Sequence, residues 1–178
     1  MFIQIDKLLA ISNSPTEALK IWLYYGLSLT EKLKSQSGEA ELEVLNQNWS
    51  QPNWWDKYTL GLSEPLIHRD ILMFSRQIPC WFARTIIPSE TFNTNRAIFD
   101  RLAEESLGSI VFNEPSIRRE LMHNYAINDR CLEYHWLPES LKNIKTVLDV
   151  RLSIYTIAEK ASFCLVEILL PGLMKVIK

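Results

Sequence analysis

The order of apolar and polar positions divides the chain into helical and strand-like stretches. Ser14-Pro15-Thr16-Glu17 combines an N-cap serine, proline at the first helical position and glutamate three residues after the cap, which predicts a helix running to about Tyr25. Gly26 is expected to end it in the left-handed conformation, and Ser28-Leu29-Thr30-Glu31 repeats the capping pattern for a second, shorter helix. After Ser37-Gly38, Ala40, Leu42 and Val44 alternate with Glu39, Glu41 and Glu43, the period of two of a strand with one wet face. The segment Trp49 to Leu62 holds Pro52 and three tryptophans without a sustained period and is predicted to be a connection.

Leu66 to Phe74 and Ile78 to Pro88 are rich in β-branched and aromatic residues and flank Ser75-Arg76-Gln77, which predicts a hairpin. Helical spacing returns over Thr94 to Glu104, with Leu107-Gly108 as a stop and a strand restarting at Ile110. Ile117, Arg119, Leu121, His123 and Tyr125 alternate as in another strand, a helix being the other option, and Pro138 to Lys145 reads as an exposed excursion. Val150 to Ile157 and Ala161 to Leu170 form a second hairpin around Ala158-Glu159-Lys160. Clustered helices and hairpin-paired strands predict one α+β domain over 1–178 with an antiparallel sheet.

Composition narrows the function classes. A chain of 178 residues with 47% hydrophobic and 22% charged residues can build a core large enough to enclose a ligand. Its net charge of -2 argues against a broad basic face for nucleic acid. Cys80, Cys131 and Cys164 are far apart, with no C-x-x-C pair and no metal-ligand spacing, which fits a reducing cytoplasm. The first seven residues lack the basic segment of a signal peptide, and no apolar run approaches the roughly 18 to 20 residues that span a bilayer. The stretch from Phe163 to Ile177 is interrupted by Glu167, Pro171, Gly172 and Lys175 and is expected to be a buried final strand. With five glycines and no G-x-G-x-x-G or P-loop, nucleotide chemistry is not expected.

Three charged residues stand out because they interrupt apolar strands. Glu167 shares a strand face with Phe163, Leu165 and Leu169; it either points to water from an edge strand or points inward and meets a polar ligand. Arg69 lies between Ile67 and Ile71, and Arg84 between Phe82 and Ile86. Either arginine can pair with Glu167, but two for one glutamate leave a surplus positive charge, which favours a small carboxylate ligand. His68, His123 and His135 match no nucleophile-elbow or metal-binding spacing.

These segments resemble chorismate lyase, the bacterial family that converts chorismate to 4-hydroxybenzoate and pyruvate in ubiquinone biosynthesis. Ser28-Leu29-Thr30 resembles the family's S-M-T, Arg69-Asp70-Ile71-Leu72 its R-E-I-L, and Arg84-Thr85-Ile86-Ile87-Pro88 its G-R-T-V-V-P. Leu107-Gly108 with Phe112 resembles L-G-x-x-x-F, and Glu167-Ile168-Leu169-Leu170-Pro171 resembles T-E-L-F-L-P, so the resemblance runs along nearly the whole chain. It implies an antiparallel sheet whose helices and flaps close over an internal site. It also implies ligand contacts by Leu29, Arg69, Leu107 and Glu167 with Arg84 nearby, and no cofactor or metal. Arg69 is expected to hold a ligand carboxylate, Glu167 the 4-hydroxyl, and Arg84 a second anionic group or the departing pyruvate. Ala83 stands at the family's glycine position, and only Arg151-Leu152-Ser153 represents its W-x-R-R-S. A cytoplasmic monomer is expected. The alternatives are a non-catalytic effector-binding domain of the same fold, disfavoured because no DNA-binding domain precedes the first family helix, and a lyase forming another hydroxybenzoate.

Overall fold

The structure is a computed structural model that describes residues 3–103, 105–142 and 147–177. Six strands, β1 (Glu41–Ser50), β2 (Leu66–Ser75), β3 (Ile78–Pro88), β4 (Ile117–Ile127), β5 (Leu148–Ile157) and β6 (Ala161–Leu169), form one antiparallel sheet. Their spatial order is β1-β2-β3-β6-β5-β4. Seven helices accompany them among the described residues: α1 (Glu17–Leu23), α2 (Leu29–Ser37), α3 (Trp54–Leu60), α4 (Ser89–Thr94), α5 (Arg96–Phe99), α6 (Leu107–Asn113) and α7 (Leu173–Val176). None is long and apolar enough to cross a membrane.

Both predicted hairpins are present, and each turns on two residues with positive φ: Arg76 (50°) with Gln77 (62°), and Ala158 (49°) with Glu159 (59°). Two successive left-handed residues give the reversal whose twist matches that of the strands they join. Because side chains alternate between faces, each strand feeds two layers. One face buries Leu72, Phe82, Leu152, Val166 and Ile168 under Trp55 and Leu60 of α3. The other face carries two separate clusters. Ile71, Met73, Trp81 and Leu169 pack against α1 and α2, while Ile67, Ile87, Tyr155 and Phe163 pack against α5 and α6.

Several boundaries differ from the sequence expectation for local reasons. Helix α1 starts at Glu17 because Thr16, not Ser14, caps it, its hydroxyl accepting from the Leu19 amide at 3.3 Å. It ends at Leu23 without a left-handed Gly26, since the Tyr24 and Tyr25 amides already donate to Lys20 and Trp22 carbonyls. Gly38 (φ 94°) and Gly61 (φ 65°) supply the left-handed helix ends instead. The expected connection over Trp49–Leu62 contains α3, fixed by a reciprocal capping box between Asn53 and Asp56. Leu107-Gly108 begins a helix instead of ending one, because Ser106 caps α6 through the Ser109 amide, and the next strand starts at Ile117.

The helix expected over 94–104 is broken into α4, α5 and a 3-10 turn at Asp100–Ala103; residue 104 lies outside the described residues. So do residues 143–146 of the expected exposed excursion. The final strand ends at Leu169 and gives way to α7. Gly172 joins them where an added Cβ would lie 2.1 Å from the Pro79 carbonyl, so the backbones meet there.

Candidate active site

A cavity lies on the face covered by α1, α2, α5 and α6, between the two smaller clusters. Its non-atom space, the open mouth included, is about 510 Å³. Arg69, Arg151, Tyr155 and Glu167 line it, with Thr85, Leu29 and Leu107 among the other wall residues.

Strand register explains this grouping. Glu167 lies between Ala83 on β3 and Arg151 on β5, so these side chains leave the sheet on one face. Nε of Arg151 donates to Oε2 of Glu167 at 2.7 Å, and its Nη1 donates to the Tyr25 carbonyl at 2.8 Å. The buried arginine therefore neutralises the glutamate and holds the α1–α2 link over the cavity. Lys32 of α2 adds positive potential nearby; burial and the Arg151 charge lower its pKa, and its ammonium donates to the Ile21 carbonyl at 2.7 Å.

Arg69 has a different environment. It is 2% exposed, and its Nε donates to Oε1 of Gln47 on β1 at 3.0 Å. Burial depresses its pKa, and among the described residues no carboxylate lies within ion-pair distance. Its Nη2 also donates to the Leu102 carbonyl at 3.5 Å, and the remaining N–H groups of the guanidinium are directional donors for an anion.

Two helix N-termini close the wall. Ser28 caps α2 and Ser106 caps α6, and the first residue of each helix, Leu29 and Leu107, lines the cavity. An added Cβ at Gly108 would lie 3.0 Å from Ser28 Oγ, which shows how closely the two ends meet. First-turn amides have no partner within their own helix, and the dipoles of both helices favour negative charge at this end.

Arg69, Glu167, Leu29 and Leu107 thus stand together on the cavity wall, whereas Arg84 does not. Arg84 pairs in register with Asp70, one residue out of phase with Arg69 and Thr85, so it leaves the opposite face of the sheet. There its Nε and Nη2 donate to the two Asp70 oxygens, each at 2.7 Å, and its guanidinium lies 4.4 Å from the Trp136 ring. The expectation that Arg84 stands beside the ligand is corrected accordingly. Glu167 is paired with neither expected arginine. Its partner is Arg151, and the second cavity guanidinium is that residue in place of Arg84.

The signal for Arg151 was in the sequence: like Glu167, it is a charge set in an apolar strand. Leu152, where the family motif has a second arginine, faces the opposite core and is fully buried. Ala83, at the family's glycine position, puts a methyl on the cavity wall. No histidine lines the cavity; His68 contacts Asp56 at 3.2 Å on the other face.

Residues 8–135 match the sequence profile of the family described as chorismate lyase, a span containing Leu29, Arg69, Arg84 and Leu107. The chain belongs to the chorismate lyase family. Among curated members, it is 29% identical over 109 residues to a "Probable chorismate pyruvate-lyase" of Idiomarina loihiensis, covering 58% of this chain and 56% of that protein. It is 22% identical over 121 residues to the "Chorismate pyruvate-lyase" of Pectobacterium atrosepticum, covering 67% and 66%. The chain spans little more than half of the first of these relatives.

Solved structures of similar fold include PhnF from Mycobacterium smegmatis, with a TM-score of 0.59 and 13% identity over 83% of this chain and 65% of that one. A GntR-family transcriptional regulator from Bacillus cereus gives 0.54 and 13% over 74% and 92%. These likenesses concern the fold alone. Arg151, Tyr155 and Glu167 lie beyond the span matched to the chorismate lyase profile, and their place in the site rests on strand register.

Proposed function

We propose that the protein is a chorismate pyruvate-lyase, eliminating pyruvate from chorismate to leave 4-hydroxybenzoate, the ring precursor for ubiquinone. The observation that carries this reading is the cavity in which Arg69, a buried guanidinium with no carboxylate partner among the described residues, shares a wall with Glu167. Chorismate is a dianion with a ring hydroxyl, so it fits a site with one uncompensated cation and one neutralised acid.

In the proposed complex Arg69 takes the ring carboxylate, and Glu167 accepts the 4-hydroxyl. Arg151 occupies Oε2 of Glu167, so Oε1 is the oxygen left for that hydroxyl. Leu29 and Leu107 act through packing and first-turn amides, since their side chains carry no polar atoms. The C3–O bond breaks, the C4 hydrogen leaves, and the methyl of pyruvate gains a hydrogen. Atoms and electrons balance without oxidant, reductant or nucleotide. Aromatisation supplies the driving force; the protein holds a reactive conformer, excludes water and stabilises charge as the ether oxygen departs.

A net charge of -2 suits a small dianion better than a polyanion, and three buried free cysteines fit a reducing cytoplasm, where the chain is read as a monomer. The test is incubation of purified protein with chorismate without added metal or nucleotide. Appearance of 4-hydroxybenzoate supports the reading, and unchanged chorismate overturns it.

A further inference from the structure

Tyr155 and Arg119 are left unused by these roles. A bulge between Arg119 and Leu121 of β4 changes the strand's phase, so Arg119 lies opposite Tyr155 on the cavity side while Leu121 faces the other core. Nε and Nη2 of Arg119 donate to the single phenol oxygen at 3.1 and 2.9 Å. Two donated hydrogens fill that oxygen's acceptor capacity, so its own proton must be directed elsewhere. Among the described residues no acceptor takes it, and Tyr155 lines the cavity. Burial, reinforced by the Glu167 charge, raises the phenol above the ordinary tyrosine pKa, so the proton is retained for donation.

The distribution of charge points the same way. Arg151 is neutralised by Glu167, but neither Arg69 nor Arg119 has a carboxylate within ion-pair distance among the described residues. β2 and β5 are three strand spacings apart in the sheet, roughly 14 Å between backbones. Arg69 and Tyr155 therefore reach into the cavity from opposite sides.

We propose that the Tyr155 hydroxyl, polarised by Arg119, receives the second carboxylate of the ligand, that of the enolpyruvyl group, while Arg69 holds the ring carboxylate. This rests on the chorismate reading above and fills the role that the sequence suggested for Arg84. Arg119 is a positioning residue. Its Nη1 also donates to the Gly26 carbonyl at 3.0 Å, and its guanidinium lies 5.5 Å from the Phe112 ring, so it links the α1–α2 connection and α6 to the Tyr155 hydroxyl.

The decisive variant is Tyr155→Phe, which deletes the hydroxyl and keeps the ring stacked on Phe163. KM for chorismate should rise about 10- to 100-fold, the loss expected for a hydrogen bond to a charged group, with kcat changed less. Calorimetric affinity for 4-hydroxybenzoate, which has no enolpyruvyl carboxylate, should stay within about twofold. Arg119→Lys should recover part of the KM loss seen in Arg119→Ala, whereas Arg119→Met, which keeps the packing stem without the donors, should not. Unchanged KM in Tyr155→Phe, or equal weakening of chorismate and 4-hydroxybenzoate, overturns the assignment. A wild-type protein that neither binds nor converts chorismate overturns the functional reading and this assignment with it. An active wild type with an unaffected Tyr155→Phe variant overturns this assignment alone.

Discussion

Arg151 and Glu167 face each other across β5 and β6, with Nε 2.7 Å from Oε2 and side-chain exposures of 1% and 8%. Removing one member of such a buried pair strands the other charge, at a cost of about 3–5 kcal/mol. Glu167→Ala should therefore lose stability as well as turnover, which makes it a poor probe of chemistry. Glu167→Gln retains an acceptor for Arg151 and nearly the same shape. Its turnover should fall at least about 100-fold, while its melting temperature falls less than that of Glu167→Ala. Thermal unfolding and a turnover assay on the two variants separate these effects.

For Arg69 the stability change should have the opposite sign. Its buried charge has no carboxylate partner among the described residues, so Arg69→Met removes a desolvation penalty. Unfolding by denaturant should show unchanged or higher stability, alongside loss of chorismate turnover. A strongly destabilised Arg69→Met would show that the guanidinium serves the fold.

Arg84 should behave in the reverse way. Arg84→Met leaves Asp70 unpaired on the α3-covered face, so stability should fall by about 3 kcal/mol while kcat/KM stays within about threefold of wild type. A large loss of kcat/KM in a stably folded variant would return Arg84 to the site.

The contrast between Arg69 and Arg84 shows what the sequence could convey. Both read as guanidiniums on apolar strands, and the pattern correctly gave two hairpins, because β-branched runs and short polar turns are local signals. Which face each arginine occupies depends on pairing: Asp70 opposite Arg84 puts that pair out of phase with Arg69. The β4 alternation misled in a related way, since Ile117 and Arg119 read as sharing a face with Leu121 and Tyr125 until the bulge divides them. Helix α6 was missed because Leu107-Gly108 resembles a helix stop, whereas the determining contact is the Ser106 hydroxyl on the Ser109 amide. Leu29, Arg69, Leu107 and Glu167 were legible from short motifs. Arg151 carried the same signal as Glu167, a charge in an apolar strand, but its pairing with Glu167 and the places of Arg119 and Tyr155 became legible only through strand register.

The cysteines give a prediction independent of the site. Burial pushes the Cys80 thiol up to about 11, and it also raises Cys131 and Cys164. With pKa raised, the thiolate becomes scarcer: at pH 8 about one Cys80 in a thousand is ionised, and it is inaccessible as well. An aromatic disulfide reagent at pH 8 should leave the native protein unlabelled over the time in which it modifies all three thiols in denaturant. Rapid labelling of the folded protein would contradict this burial.

The most direct measurement is incubation of the wild-type protein with fresh chorismate, with aromatic products resolved by chromatography and pyruvate assayed in the same sample. Equimolar 4-hydroxybenzoate and pyruvate should form well above the spontaneous rate, and Glu167→Gln and Arg69→Met should stay near that rate. Folded wild-type protein that leaves chorismate at its spontaneous rate, or that releases a different hydroxybenzoate, would contradict the proposed activity.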